Sequence, residues 1–101
     1  MADDLRWHVE AKTLFLQGEL DRETLIGLWQ QREKVMQHIE TIDVSGLQRV
    51  DSAGLALLVH LRQIAQQQGA SPVFSGITDK LHSLITLYNL QQIIVSADNP
   101  A

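Results

Sequence analysis

Residues 52–68, SAGLALLVHLRQIAQQQ, bring Leu57, Leu58, Leu61, Ile64 and Ala65 onto one face at helical spacing, and Gly69 follows directly. The spacing predicts an amphipathic helix, and a glycine just past the apolar stripe is a favoured left-handed helix end. The flanking segments differ in pattern. Ile42 and Val44 alternate with Asp43 and Ser45 before the helix, and Pro72 to Ser75 reads as a short strand after it, with the proline at its start. There a missing N–H does least harm. Neighbouring strands linked through a helix favour a parallel crossover, so the centre of the chain is of the α/β type.

The remaining segments extend that unit. Leu5, Trp7 and Val9, then Leu14 and Leu16 after Lys12-Thr13, alternate with polar residues and predict an antiparallel hairpin. Asp21 is an N-cap candidate ahead of Leu25, Leu28, Trp29, Arg32, Val35, Met36 and Ile39, a stripe that predicts one long amphipathic helix with Ile26 off its apolar face. Gly46 to Asp51 reads as the connection into the central helix. Thr78 or Asp79 caps a third helix carrying Leu81, Leu84, Ile85 and Tyr88, which Asn89 can end, and Ile93 to Val95 reads as a last short strand. The expected fold is a small α/β domain: a mixed sheet of four to five strands covered mainly on one face by about three helices. With 101 residues, 45% hydrophobic and 20% charged, residues 1–101 are expected to form a single domain.

Several kinds of chemistry find no support. The net charge is −4 and the eight Lys and Arg are scattered, which argues against nucleic-acid binding. There is no cysteine, and His8, His38, His60 and His82 stand in no metal-ligand frame, so no metal is expected. Neither G-x-x-x-x-G-K-S/T nor G-x-G-x-x-G occurs, so no nucleotide cofactor is expected. Ser52, Asp51 and His60 do not make a catalytic triad, because positions 52 and 60 on one helix lie about 12 Å apart along its axis. No catalytic residues are assigned. An acidic Met-Ala-Asp-Asp start and the lack of an apolar run of roughly 20 residues favour a cytoplasmic protein without direct membrane insertion.

The turn ahead of the central helix, Asp51-Ser52-Ala53-Gly54, has two readings. Ser52 or Asp51 caps the first free N–H groups. Capping leaves Ala53 and Gly54 unexplained, since glycine in a first turn costs stability relative to alanine; small residues there would let another surface approach the backbone. Leu55 and Val59 form a second apolar pair beside the main stripe, covered either by another helix of this chain or by a partner. Trp29, next to Ile26 and Gly27, is a core residue or an interface anchor. The candidate partner-binding set is therefore Ser52, Ala53, Gly54, Leu55 and Trp29.

Gly18-Glu19-Leu20-Asp21, then Ile42-Asp43-Val44-Ser45 leading into Val50-Asp51-Ser52-Ala53-Gly54-Leu55, resembles the STAS domain family, shared by anti-sigma-factor antagonists and the cytoplasmic tails of sulfate transporters. The resemblance covers nearly the whole chain. Within the family, LFLQGELD, RVDSAGLALLVHL and LITLYNL are most similar to the small STAS subunit of bacterial ABC complexes that move phospholipids between inner and outer membranes and maintain outer-membrane lipid asymmetry. The resemblance implies a non-catalytic subunit that sits on the ABC transporter ATPase subunit and supports it. It would lie in a complex with permease and lipid-binding subunits, peripheral to the inner membrane through its partner. The alternative it implies is a phospho-regulated anti-sigma-factor antagonist that binds a protein kinase. In that branch the phosphorylated serine immediately precedes the turn's glycine. Ala53 stands there, and Ser52, one place earlier, is the turn's only candidate phosphoacceptor.

Overall fold

The computed structural model describes residues 5–94. The chain opens with a hairpin of β1 (Leu5–Glu10) and β2 (Thr13–Leu20), paired antiparallel from Leu5 opposite Gly18 to Glu10 opposite Thr13. Ala11 and Lys12 form the turn with φ of 52° and 64°. Two consecutive positive φ values match the primed turn whose twist suits a two-residue hairpin.

A helical layer follows: α1 (Ile26–Gln30) and α2 (Arg32–Val35). Where the apolar stripe predicts one long helix, the backbone breaks at Gln31, with φ −107° and ψ 13°. Two hydrogen bonds explain the break. The Gln31 amide donates to the Leu28 carbonyl at 3.1 Å, tightening the turn, and Arg32 Nη1 donates to the Trp29 carbonyl at 2.8 Å. Asp21 caps the turn leading into α1, its Oδ1 accepting from the amides of Glu23 and Thr24, both at 2.9 Å. Even so, the stripe buries as its spacing requires, with Leu28, Met36 and Ile39 at zero exposure and Ile26 half exposed.

Next comes β3 (Thr41–Val50), parallel to β2. It runs through the segment Gly46 to Val50 that reads as a connection in the sequence. Gly46 pairs with Gln17, Leu47 with Gly18 and Val50 with Leu20, past register shifts between Phe15 and Gln17 and between Gly18 and Glu19. A bulge changes which residues face inward. The buried positions are therefore Ile42, Val44 and Leu47, a step of two followed by one of three, which strict alternation does not find.

The central helix α3 (Ser52–Gln67) leads to β4 (Val73–Ser75), parallel to β3, and α4 (Asp79–Leu87) follows. Gly69 ends α3 at φ +91°, a conformation that side chains disfavour. Thr78 Oγ1 caps α4 by accepting from the Leu81 amide at 3.2 Å. The strand expected at Ile93 to Val95 does not form over its described part. Ile93 and Ile94 both donate to the Leu90 carbonyl, at 3.0 and 2.8 Å, so a local turn takes the donors a ladder would need, and Ile94 still reaches the core. Val95 lies outside the described residues.

The sheet order is β1-β2-β3-β4. Leu14, Leu16, Leu20, Ile42, Val44, Leu47 and Phe74 point to one side and join Leu28, Met36, Leu58, Leu61, Ala65, Leu81 and Ile85 of the helices in one core. The helices thus cover one face. On the opposite face His8 stacks on Phe15, centroids 4.8 Å apart, beside Asp43 and Ser45.

Candidate partner-binding site

The carboxyl ends of the parallel strands β2 and β3 lie side by side, and the Asp51 amide donates to the Leu20 carbonyl at 3.2 Å to hold them there. In open α/β sheets this end is where binding sites gather. Each strand delivers an aspartate. Asp21 accepts from Glu23 and Thr24, while Asp51 is the N-cap of α3, its Oδ1 accepting from the Gly54 amide at 2.8 Å and its Oδ2 from the Arg22 amide at 3.3 Å. Asp51 therefore joins the α3 cap to the loop after β2. The Thr24 amide does most to lower the Asp21 pKa; desolvation, the next largest influence, opposes it, and the Glu23 amide, the Thr24 hydroxyl and the nearby Arg49 charge add to the lowering, so the carboxyl stays below its ordinary pKa.

Around these carboxylates is a shallow cleft of about 350 Å³ lined by Asp21, Arg22, Glu23, Arg49, Asp51, Ser52 and Ala53. Ser52 is exposed at its rim, and among the described residues its hydroxyl takes part in no hydrogen bond. Asp51 alone caps the helix, so Ser52 is not needed for that task. Ala53, half buried, adds no bulk.

Gly54 and Leu55 lie elsewhere. A Cβ on Gly54 would collide with the Leu20 carbonyl oxygen and stand 2.8 Å from Leu20 Cγ, so the glycine lets α3 seat against the end of β2. Leu55 is only 2% exposed and belongs to the core of this chain. The structure thus corrects the reading of both as exposed partner-facing residues: the domain itself explains the glycine and covers the leucine. Val59 is half buried against the same core.

Trp29 is half buried on α1, beside α3. His60 meets its ring edge-on with centroids 5.5 Å apart, and the Arg32 guanidinium carbon lies 3.9 Å from its centroid. A cation at that distance over an indole is attracted by the ring's electron-rich face. The stack fixes an aromatic surface bridging the two helices. Sequence reasoning missed Arg32 and His60 as its members. The spacing of three from Trp29 to Arg32 is a signal for the first pair, whereas His60 meets Trp29 only through the packing of α1 on α3. Arg22 and Arg49, also missed, join the cleft through loop closure between distant segments.

The parallel pairing of β2, β3 and β4, the leading antiparallel strand and the one-sided helical cover define a STAS-type domain. An anti-sigma-factor antagonist (STAS) domain protein from Planctomyces limnophilus matches with a TM-score of 0.71 at 15% identity, over 99% of this chain and 92% of that one. The phosphorylated form of the Bacillus cell fate determinant SpoIIAA matches with a TM-score of 0.64 at 15% identity, over 94% and 92%. The chain belongs to the family described as Mlab, STAS domain, whose model matches residues 4–96. The intermembrane phospholipid transport system binding protein MlaB of Escherichia coli strain K12 is 44% identical over 90 residues, spanning 89% of this chain and 93% of that protein. The protein of the same name from Haemophilus influenzae is 34% identical over 100 residues, spanning 92% and 94%.

Proposed function

We propose that this chain is a non-catalytic binding subunit of an intermembrane phospholipid transport system, and that it docks on the system's ABC ATPase through the amino-terminal end of α3 and the adjacent face of α1. The relatives' shared name supports the system. One observation supports the surface: Asp51 satisfies the helix end, leaving the exposed Ser52 hydroxyl with no intramolecular task, next to small Ala53. Trp29, held by Arg32 and His60, supplies a rigid aromatic anchor of the kind that carries interface energy. Gly54 and Leu55 support the surface from beneath without touching the partner. The antagonist alternative needs a hydroxyl at position 53, where alanine stands. On this reading the chain lies at the cytoplasmic side of the inner membrane through its partner, alongside permease and lipid-binding subunits. It supplies contacts rather than chemistry.

The test is co-purification of the tagged chain with the ATPase subunit from membranes. Ser52→Glu places a negative charge at the positive end of α3, which is neutral or mildly favourable for the free domain. Buried in a close-packed contact, the same carboxylate is desolvated without a partner. The expected result is an unchanged melting temperature and loss of the ATPase, with Ser52→Ala milder. Retention of the ATPase at unaltered affinity by Ser52→Glu would overturn the docking surface. Absence of any ATPase from the unmodified protein's complex would overturn the proposed role.

A further inference from the structure

The two edges of the sheet are unlike. β4 is three residues long and follows Pro72, the short and proline-marked form in which edges avoid pairing with other chains. β1 has six residues in unbroken register with β2, with no proline, lysine or bulge, and no described strand pairs with its outer side. Val9 on this strand is 51% exposed.

The hairpin turn determines what the edge offers. In a two-residue primed hairpin the closing residues exchange both backbone hydrogen bonds, here Glu10 with Thr13. Counting back by twos, His8 and Arg6 also turn their amides toward β2, so Trp7 and Val9 present theirs outward. A second β1 can accept these groups antiparallel when Trp7 of one copy faces Val9 of the other. His8 then stands opposite His8, and each Arg6 stands opposite a Glu10. That register preserves the faces of the sheet, brings the exposed Val9 against the half-buried Trp7 on the helical side, and places two opposite-charge pairs on the other side. Arg6 and Glu10 are both exposed, and Glu10 has His8 Nε2 of its own strand 3.9 Å away.

We infer that the β1 edge pairs with the β1 edge of a second copy of this chain, centred on His8, to form a continuous eight-stranded sheet. The test is sedimentation equilibrium of the full chain from micromolar to millimolar concentration, with circular dichroism as the check on folding. A monomer–dimer equilibrium is expected for the unmodified chain. Glu10→Arg turns two exposed attractions into repulsions and should weaken the dimer about tenfold. The double variant Arg6→Glu, Glu10→Arg restores both pairs and should recover the association. Hydrogen exchange should show the Trp7 and Val9 amides protected with rising concentration. A monomer throughout the range, a dimer indifferent to Glu10→Arg, or failure of the double variant to recover each overturns the proposed pairing.

Discussion

At the scale of single residues, the turn before α3 separates two tasks that adjacent side chains could have shared. Asp51 has both carboxylate oxygens engaged, on Gly54 and Arg22, whereas Ser52 has none of its polar atoms so committed in the described side-chain bonds. Asp51→Ala should therefore cost about 1 kcal/mol or somewhat more, as for a lost cap, while Ser52→Ala should stay within about 0.5 kcal/mol, as for an ordinary surface change. Urea denaturation of the two variants side by side checks the difference, and equal losses would mean that Ser52 shares the cap. Asp21 gives a pH dependence. Its carboxyl is depressed in the folded state from an ordinary 3.8, so its stabilising contribution is present above that value and fades as pH falls through the lower folded pKa. Asp21→Asn keeps an oxygen to accept the turn's amides but cannot titrate. Its urea midpoint should fall less steeply below pH 3.8 than that of the unmodified chain.

At the scale of elements, the central crossover was legible because each of its parts carries its own periodicity. The α3 stripe, the Gly69 end and the Thr78 cap all signal locally, and the structure places them at those positions. What was not legible arises from contacts between segments. The end of β3 escapes alternation because a bulge against β2 shifts its faces, and the α1–α2 break depends on a guanidinium reaching back to a carbonyl. At the site, the sequence singles out Ser52 and Trp29 as partner-binding candidates, which lie exposed and half buried, but does not reveal that Gly54 is matched to Leu20 of another strand. Gly54→Ala tests that match. The added methyl meets backbone, which cannot rotate away, so a loss of about 1–3 kcal/mol is expected, typical of overpacking. Thermal unfolding reads it directly. No loss, or the gain that alanine ordinarily brings over glycine in a helix, would show that α3 can shift away from β2 freely.

At the scale of the molecule, Glu10 and Ser52, the residues that test the two proposed contact surfaces, sit toward opposite ends of the same sheet. The docking cleft lies beyond Leu20, at the carboxyl end of β2, while Glu10 is opposite Thr13, at its start. Seven residue steps along a strand separate these positions by about 23 Å. Substitutions so far apart without shared partners act independently in most proteins, and here the helical layer between them is one packed core rather than a hinge. The surfaces should therefore fail separately. Glu10→Arg should lower self-association while leaving capture of the ATPase unchanged, and Ser52→Glu should abolish that capture while leaving the dimer constant within twofold, about 0.4 kcal/mol. Measuring both quantities on both variants gives four values, and the pattern of losses is diagnostic. Loss of ATPase capture in Glu10→Arg, with the fold intact by circular dichroism, would mean that the partner is held by the assembled dimer or reaches round to β1, and the independence of the two surfaces would be wrong.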